Sequence, residues 1–468
     1  MKELLRELLR ELFFKTFDCY PTKIEPMQAH GSKRQYFRIY SEDKTYIGAY
    51  NENGKENEAF VNYAFQMREK GIRVPEVYAC DREGNIYIQE DLGNITLFDY
   101  VGSHSLQEIL LWYKKILSSL IDIQLMPNFD YSKSYPRESF DKQSIMWDFN
   151  YFKYCFLKVV DIEFDEQDLE EDFNTLADYL LSESQEYFLF RDFQSRNIML
   201  KDNEAYFIDF QGARKGALQY DVVSLLFDGK VNMEWQIKMD LLNYYIQNLS
   251  KRIEVKEKQF KDLFFAYAYA RIMQAMGAYG YRGLVQNKIS FTKSISTAIR
   301  NLQLLQENIT LPVDLKELNK VFAKIINSEK LKNISKENHF LTLTIKSFSY
   351  KKGYPMDVSG NGGGFVFDCR ALPNPGRLQR FKKLNGKDKE VIEYLESKEE
   401  VRDFMTNVNK LIKQSVDNYL QRGFSNLMVC FGCTGGQHRS VFCAERLAKE
   451  FSQSTDLKII IQHIEQNI

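Results

Sequence analysis

The stretch that decides the fold is Phe190-Arg191-Asp192-Phe193-Gln194-Ser195-Arg196-Asn197, followed by Ile208-Asp209-Phe210-Gln211-Gly212. It places an aspartate, an asparagine five positions later and a second aspartate in an order that phosphoryl transfer from ATP requires. Asp192 can orient or deprotonate a substrate hydroxyl. Asn197 and Asp209 can hold the Mg²⁺ ions that neutralise charge on the γ-phosphate. The pattern therefore predicts a phosphotransferase.

A short hairpin is predicted between these two motifs. Ile198–Leu200 and Ala205–Phe207 have the composition of strands, and the turn Lys201–Glu204 separates them. Such a hairpin would bring the two metal ligands face to face. The alternative is an acidic surface hairpin, because a lone Asp-x-x-x-x-Asn is common. The second aspartate, at this spacing and in this order, favours the kinase interpretation.

Composition places the chain among globular proteins and excludes several classes. It has 468 residues, 44% hydrophobic and 27% charged, with a net charge of −1. The length indicates about three folding units, and the near-zero charge disfavours general polyanion binding. No apolar run is long enough to span a bilayer and no signal peptide is visible, so no membrane partner is expected. Seven scattered cysteines fit reduced thiols, and we expect a cytoplasmic protein.

The pattern along the chain predicts an α+β kinase-like fold over residues 1–306. A small sheet-rich N-lobe covers about 1–95 and a helical C-lobe covers about 96–306. The segments that carry this prediction are strands at Tyr36–Tyr40, Thr45–Tyr50 and Asn85–Gln89, and helices at Glu56–Lys70, 106–125, 140–188 and 234–306.

A second domain is predicted after a charged helical linker at 307–337. Residues 338–468 alternate strands with helices, which indicates a separate α/β domain. Its predicted parts are strands at Leu341–Ser347, Phe365–Arg370 and Asn426–Phe431, a glycine-rich loop at Gly360–Gly364, and helices at 388–420 and His438–Phe451.

The first region resembles the aminoglycoside phosphotransferase-like kinases, and within them the anomeric amino-sugar kinases of the AmgK type. Besides the acidic motifs, Gly31–Arg38, Glu90–Gly93 and Tyr220–Leu226 match, and the resemblance covers roughly residues 10–300. It implies an ATP- and Mg²⁺-dependent kinase. The implied acceptor is an amino sugar such as N-acetylmuramate or N-acetylglucosamine, phosphorylated at its anomeric hydroxyl in cell-wall recycling.

The resemblance also assigns roles to individual residues. It makes Asp192 the catalytic base and Asn197 and Asp209 the metal ligands. It assigns the contact with the adenine edge to the backbone of Glu90 and Leu92. The hairpin that covers the phosphates would supply Gly31, Ser32, Arg34 and Arg38. Both arginines suit phosphate, although taken alone they would more often be solvated strand charges. Asp221 is expected to cap a helix or to anchor the catalytic loop.

One departure from the protein-kinase pattern leaves two alternatives open. The predicted third strand, Tyr46–Tyr50, has no lysine to pair with the α- and β-phosphates. Either an arginine of the first hairpin substitutes for it, or activity is low and the lobe is a pseudokinase used as a regulatory scaffold. Glu56 and Glu58 are the helix acids that would partner such a cation. No activation-loop phosphosite follows Asp209, which disfavours protein substrates.

A second motif, Gly432-Cys433-Thr434-Gly435-Gly436-Gln437-His438-Arg439-Ser440, follows a predicted strand and opens a helix. Converging N–H groups at a helix N-terminus form an anion cradle; the alternative is a ligand-free turn. The region from about 340 to 452 resembles the RapZ C-terminal domain, through this loop, Ser347–Pro355 and Val366–Pro375. The resemblance implies an amino-sugar phosphate site built from Thr434, Gly435, Gly436, His438, Arg439 and Ser440, with Lys351 and Arg370 contributing.

Two departures and one rival interpretation limit this transfer. The chain has no Gly-x-x-x-x-Gly-Lys-Ser/Thr loop, and its last residues, Ile459–Ile468, are nearly uncharged, so ligand sensing carries over better than RNA binding. The rival interpretation is a cysteine-dependent phosphatase, with Cys433 as the nucleophile and Arg439 holding phosphate oxygens. Only Asp368 or Asp357 is placed to act as its general acid. Such an activity beside a sugar kinase would create a futile cycle. The sequence does not predict an oligomeric state.

Overall fold

The structure, a computed structural model, describes residues 2–27, 34–42, 44–81, 83–102, 104–229, 231, 233–286, 288–331, 341–355, 364–421, 424, 426–454 and 457–466. Two compact units form. The first contains residues 1–281 and 297–328, and the second contains 282–296 and 329–468.

The first unit begins with α1 (Lys2–Phe17) and a five-stranded sheet in which every strand pair is antiparallel. Its strands are β1 (Lys23–Pro26), β2 (Gln35–Ser41), β3 (Lys44–Tyr50), β4 (Val77–Cys80) and β5 (Ile86–Glu90), in the order β1-β2-β3-β5-β4. The helix α2 (Gly54–Glu69) lies between β3 and β4 in sequence. The predicted strands and helix of this lobe are confirmed to within two residues, and β1 and β4 are additional.

The two faces of this sheet have different partners because side chains alternate along each strand. One face packs against α1, where Leu5, Leu9 and Phe13 are buried. At Gly48 a β-carbon would lie 2.6 Å from a methyl group of Leu9, so the helix lies close to the sheet there. On the other face, the ring of Tyr87 stacks on Phe60 of α2 at 4.9 Å. That second face is the one that borders the candidate site.

The rest of the first unit is mainly helical. Its helices are α3 (Leu97–Val101), α4 (Leu106–Gln124), α5 (Lys142–Phe152), α6 (Lys158–Val160), α7 (Glu166–Leu180), α8 (Leu218–Leu226), α9 (Trp235–Leu249), α10 (Glu257–Ala278), α11 (Ile289–Asn308) and α12 (Lys316–Asn327); α11 extends into the second unit. The prediction that residues 140–188 are helical is wrong at 161–165, which join α6 to α7, and at its end, because Tyr187–Leu189 forms β6. This strand pairs with β9 (Arg214–Gly216) and is too short and buried to show a strand period.

The predicted hairpin is present as β7 (Ile198–Lys201) and β8 (Glu204–Phe207). Its two-residue turn, Asp202 and Asn203, has positive φ values of 51° and 59°, a conformation that Asp and Asn tolerate better than most residues.

The helix predicted as a linker packs on the first unit. Glu317 of α12 accepts a hydrogen bond from the Asp165 N–H at 3.0 Å, and Asp172 accepts one from the Leu318 N–H at 2.7 Å. These bonds satisfy backbone donors at the start of α7 and of α12, where no intrahelical acceptor exists.

The second unit is built on a parallel four-stranded sheet, which confirms the predicted α/β domain. Its strands are β10 (Leu341–Ser349), β11 (Gly364–Asp368), β12 (Asn426–Cys433) and β13 (Leu457–His463), in the order β11-β12-β10-β13. Its further helices are α13 (Lys389–Glu396), α14 (Glu399–Gln421) and α15 (Arg439–Phe451). The strand β13 was not predicted, and most of Gly360–Gly364 lies outside the described residues. None of the helices in the described ranges has the length and apolar character needed to cross a bilayer.

Candidate active site

The loop before β7 is held by a buried carboxylate. Asp221, fully buried on α8, accepts hydrogen bonds from the N–H groups of Phe190 (2.6 Å) and Arg191 (3.0 Å). It therefore anchors the catalytic loop, one of the two roles expected for it. Burial raises the pKa of Asp221 to about 7, and the two N–H donors act in the opposite direction. Arg191 has φ of 82°, a strained conformation of the kind that clusters at functional sites.

Asp192, the predicted base, faces an arginine that the sequence analysis did not single out. Arg271 of α10 donates from Nη2 to Oδ1 of Asp192 at 3.1 Å and from Nε to the Ser224 hydroxyl at 3.0 Å. The Asp192 side chain is 44% accessible to water. Burial alone would raise the pKa of Asp192, but Arg271 and then Arg191 outweigh it and lower this pKa. The carboxylate is therefore ionised and able to accept a hydrogen bond from a hydroxyl group.

The two predicted metal ligands lie side by side. Nδ2 of Asn197 donates to Oδ2 of Asp209 at 3.2 Å and to the main-chain oxygen of Asp192 at 2.8 Å. Gln211 donates to the second oxygen of Asp209 at 2.8 Å. These bonds leave the Asn197 amide oxygen free to face a cation, and amide and carboxylate oxygens are the donors that Mg²⁺ prefers. Across the described residues, no cluster of three or more His, Cys, Asp or Glu could hold a metal by itself. A Mg²⁺ shared with nucleotide phosphates needs fewer protein ligands.

The residue after Asp209 connects this predicted metal ligand to α2. The ring of Phe210 stacks on Phe60 at 4.6 Å with an interplanar angle of 11°, and Phe60 in turn stacks on Tyr87 of β5. All three side chains are at most 3% exposed. The position of Asp209 is therefore coupled to the helix that carries Glu56.

Arg34 is the cation of the N-lobe cleft. It precedes β2, is 4% exposed, and its Nη2 lies 3.6 Å from Oε2 of Glu56. Burial lowers the pKa of Arg34, but Tyr87, Tyr36 and the Asp209 carboxylate outweigh it, and this pKa is raised. Glu56 is also fixed by the Asn51 amide at 2.9 Å. The first alternative of the sequence analysis, an arginine of the first hairpin paired with a helix acid, thus has a geometric counterpart; Glu58 instead pairs with Lys133.

The other nucleotide-binding candidates have different placements. Arg38 is bound by the Asp91 carboxylate (Nε–Oδ2 2.7 Å) and by Asn94, so it clamps the segment after β5 rather than the phosphate side of the cleft. Its expected contact with phosphate stays a prediction. Gly31 and Ser32 lie outside the described residues.

The segment after β5 is the expected adenine contact. The Glu90 N–H donates to the Glu76 carbonyl at 2.8 Å, so it is already used. For Leu92, neither backbone polar group has a hydrogen-bond partner within the described ranges. The contact of this segment with a nucleotide base stays a prediction.

In the C-terminal loop, which the sequence predicts to be an anion cradle, two polar groups face a sulfur atom. The Gly436 N–H donates to Sγ of Cys433 at 3.2 Å, and the Ser440 hydroxyl lies 3.2 Å from the same sulfur. Thr434 and Gly435 are exposed, and a β-carbon at Gly435 would meet nothing within 4 Å. The loop is therefore open to solvent above a sulfur atom that its donors already face.

Several predicted sugar-phosphate residues have internal partners. His438 is 8% exposed and its Nε2 lies 2.8 Å from the Phe381 carbonyl. Arg439 donates from Nη1 to the carbonyls of Arg370 and Leu372. Arg370 forms an ion pair with Asp368 at 2.7 Å, so its charge is partly neutralised. Lys351 is exposed beside β10.

Arg271 is the residue that sequence reasoning missed most clearly. It lies 79 positions from its partner Asp192, so no local motif contains both. The available signal was its setting, a single charge in the apolar run Phe264–Met273. A guanidinium in such a run must find an acceptor when the helix is buried.

Comparison with known proteins assigns both parts of the chain. Residues 23–247 match the phosphotransferase enzyme family and residues 341–467 match the RapZ C-terminal domain. A nucleotide-binding protein of Acidobacterium capsulatum is 42% identical over 115 residues, which is 25% of this chain and 36% of that protein. One from Fusobacterium nucleatum is 30% identical over 223 residues, 46% of this chain and 74% of that protein. A solved Plasmodium vivax ethanolamine kinase has 13% identity and a TM-score of 0.47, covering 62% of this chain and 84% of that one.

The fold and site define a protein-kinase-like phosphotransferase domain followed by a parallel-sheet domain. The chain belongs to the RapZ-like nucleotide-binding proteins and joins the RapZ C-terminal domain to a domain of the phosphotransferase enzyme family. It spans only 36% of the length of the first relative named above. The family match confirms the predicted class of enzyme, a phosphotransferase with a hydroxyl acceptor.

Proposed function

We propose that the chain is an ATP- and Mg²⁺-dependent kinase that phosphorylates an amino sugar at its anomeric hydroxyl. The observation that carries this proposal is the meeting of Asp192, Asn197 and Asp209 at one end of the β7–β8 hairpin. Arg34, paired with Glu56, raises the positive charge on the N-lobe side of the same cleft.

Each residue of the candidate site has a separate role in the proposed reaction. Asp192, kept ionised by Arg271, orients the acceptor hydroxyl and accepts its proton as the oxygen attacks the γ-phosphorus. Asn197 and Asp209 hold Mg²⁺, which neutralises charge on the phosphates when bound. Arg34 offers its guanidinium to phosphate oxygens and thereby takes the part of the missing strand lysine. The backbone carbonyl of Leu92 accepts a hydrogen bond from the adenine edge, and its N–H group donates one to it.

The charge around the base supports a sugar acceptor over a polycationic drug. The groups that lower the pKa of Asp192 are Arg271, Arg191, Arg196 and Arg214. Arg271 and Arg191 make the largest of these contributions, and a positive potential at the base favours a neutral or acidic sugar over a polyamine. The AmgK-like motifs around Asp192 and Asp209 support the anomeric position.

The C-terminal unit would bind an amino-sugar phosphate at the loop after β12. Gly435 opens to solvent there, the exposed Lys351 lies beside β10, and α15 begins at the loop. Glucosamine 6-phosphate should raise the melting temperature of this unit and change the kinase rate. Absence of both effects would remove the proposed sensing role.

The test of the kinase proposal is phosphate transfer from ATP to a panel of acceptors, with the product position read by phosphorus NMR. The panel contains N-acetylglucosamine, N-acetylmuramate, choline, ethanolamine and an aminoglycoside. We expect a 1-phosphate of an amino sugar. Transfer only to choline, ethanolamine or the drug contradicts the acceptor class. If no acceptor is phosphorylated although the protein still binds ATP, the pseudokinase scaffold is favoured.

A further inference from the structure

The loop that carries the proposed base is held by a second buried carboxyl group besides Asp221. Asp228 follows α8 by two residues and is 4% exposed. Its Oδ2 accepts hydrogen bonds from the N–H group of Ser195 at 3.0 Å and from the hydroxyl of the same residue at 2.6 Å. Ser195 is itself fully buried. Because both donors belong to one residue, the two bonds fix the position and the direction of the backbone there.

Ser195 lies between the proposed base and a predicted metal ligand. The Gln194 N–H donates to the Asp192 carbonyl at 2.8 Å, and the Asn197 N–H donates to the Gln194 carbonyl at 2.9 Å. Nδ2 of Asn197 donates to the Asp192 carbonyl at 2.8 Å. Residues 192–197 therefore form a closed turn. A displacement of Ser195 would change the spacing between Asp192 and Asn197, whereas Asp221 binds the chain on the other side of Asp192.

A buried cation accompanies the Asp228 carboxyl group. Lys238 of α9 is fully buried, and its Nζ donates to Oδ1 of Asn301 at 3.0 Å. Burial lowers the pKa of Lys238 to about 8, Arg300 adds to this effect, and Asp228 acts in the opposite direction. Nζ also lies 4.5 Å from the ring centroid of Phe227, the residue before Asp228. The lysine thus offsets part of the cost of burying a carboxyl group at the catalytic loop.

The same pair of bonds occurs elsewhere in the first unit with a different role. Oδ1 of Asp141 accepts hydrogen bonds from the N–H group and from the hydroxyl of Ser144, both at 3.0 Å. Asp141 is the residue before α5, so these bonds cap a helix. Asp228 lies 33 positions from Ser195, so its bonds instead hold a loop from outside. The two aspartates therefore form a matched pair for experiment.

We propose that Asp228 is a positioning residue, which acts through Ser195 to set the spacing between the base Asp192 and the Mg²⁺ ligand Asn197. The inference rests on the proposed kinase function. Phosphoryl transfer requires the acceptor hydroxyl and the metal-bound phosphates to be aligned. A misplacement of about 1 Å can lower the rate about 10²-fold. Loss of the Asp228 bonds should therefore weaken both turnover and the binding of Mg²⁺ with the nucleotide.

The experiment compares Asp228→Ala with Asp141→Ala in the full chain. Phosphate transfer is measured, and calorimetry measures ATP affinity with Mg²⁺ and with EDTA. We expect Asp228→Ala to lower kcat about 100-fold. It should reduce the gain in ATP affinity on adding Mg²⁺ at least about fivefold, with the affinity in EDTA within about threefold of the wild type. Asp141→Ala should change kcat and the Mg²⁺ gain less than about threefold, although it melts at a lower temperature.

A conservative variant separates positioning from stability. Asp228→Asn keeps an oxygen that can accept from the Ser195 N–H, so it should recover about tenfold of the lost turnover. Should Asp228→Ala fail to fold, Ser195→Ala removes only the hydroxyl bond and should lower both kcat and the Mg²⁺ gain by about twofold or more. No change in either quantity for Ser195→Ala would overturn the proposal.

The Mg²⁺ measurement does not depend on turnover. If the wild type binds ATP with Mg²⁺ but transfers no phosphate, the kinase proposal fails, and the Mg²⁺ gain in Asp228→Ala still decides the role of Asp228. A gain that survives Asp228→Ala overturns the positioning role, as does a wild type that shows no gain. Equal losses in Asp228→Ala and Asp141→Ala also overturn it, because they would show an effect on stability alone.

Discussion

We propose that Arg34 supplies the charge that protein kinases give to a lysine on the third strand. Here that strand presents Ala49, fully buried, between Tyr36 of β2 and Tyr87 of β5. A short side chain at this register leaves space that the Arg34 guanidinium, paired with Glu56, can use. In this proposal the cation enters the cleft from the residue before β2 and meets a helix carboxylate.

Substitution of Arg34 tests this replacement. Arg34→Ala should lower kcat/KM for ATP by roughly 10²- to 10³-fold, because a preorganised cation at the phosphates is lost. Arg34→Lys should recover part of it. Arg252→Ala, an exposed arginine paired with Asp122, is the matched control and should have no effect. The interpretation is wrong if Arg34→Ala and the control behave alike. In the double variant with Glu56→Gln, the losses should not add.

Asp221 gives the first unit a specific pH dependence. Its pKa in the folded protein is about 7, against roughly 4 in an unfolded chain. Between these values the folded state keeps a proton that the unfolded state has released. Its contribution to the free energy of unfolding is therefore full at low pH and is lost as the pH rises to 7.

The variant Asp221→Asn isolates the pH-dependent contribution of Asp221 to the free energy of unfolding. It weakens the bonds to Phe190 and Arg191 at every pH, at a cost of about 1–3 kcal/mol, but it cannot titrate. The melting temperature of the wild type should exceed that of the variant most at pH 4.5, and the difference should shrink by pH 7.5. A difference that stays constant or grows with pH would show that Asp221 does not titrate in this range.

At the scale of elements, the stack of Phe60, Phe210 and Tyr87 connects α2, the metal-ligand segment and β5. Phe60→Ala should destabilise the first unit by about 3–5 kcal/mol, as expected for a buried aromatic ring. It should also lower kcat, because Glu56 and Asp209 lose their shared support. Phe65→Ala, on the same helix but 56% exposed, is the control. Urea unfolding and turnover check both effects, and equal behaviour of the two variants would refute the coupling.

Sequence patterns predicted elements well where the determinants are local. The β7–β8 hairpin, α2 and the strand before the Cys433 loop were all predicted, because strand alternation, helix period and turn residues lie within each segment. β6 and β9 are three residues each, too short to show a period, and they are stabilised by pairing across the chain. β13 pairs with β10 more than 100 residues earlier.

Pairings in the site were harder to predict than the residues themselves. Arg34 and Glu56 were both candidates, but only the fold joins them. Arg38 looked equivalent to Arg34, yet β2 turns it toward Asp91. The Cys433 loop was predicted as an anion cradle from its glycines and helix N-terminus. That stays a prediction; the structure adds that the Gly436 N–H donates to the Cys433 sulfur, a backbone direction that no residue type encodes.

At the scale of the whole molecule, two units with separate cores carry two distinct sets of polar groups. The first unit collects oxygen donors and arginines around Asp192, and the second places the Ser440 hydroxyl and the Gly436 N–H at the sulfur of Cys433. The chain as a whole has a net charge of −1, so these sites are local concentrations of charge. Recognition by each unit is therefore expected to depend on a few residues rather than on the overall field.

The measurement that tests the central claim most directly is steady-state phosphate transfer by the wild type and by Asp192→Ala on the best amino-sugar acceptor. We predict that the variant loses at least 10³-fold in kcat while its affinity for ATP, measured by calorimetry, stays within about threefold. A variant that keeps kcat within threefold of the wild type, or a wild type that binds ATP without transferring phosphate, would contradict the assignment of this chain as an active kinase.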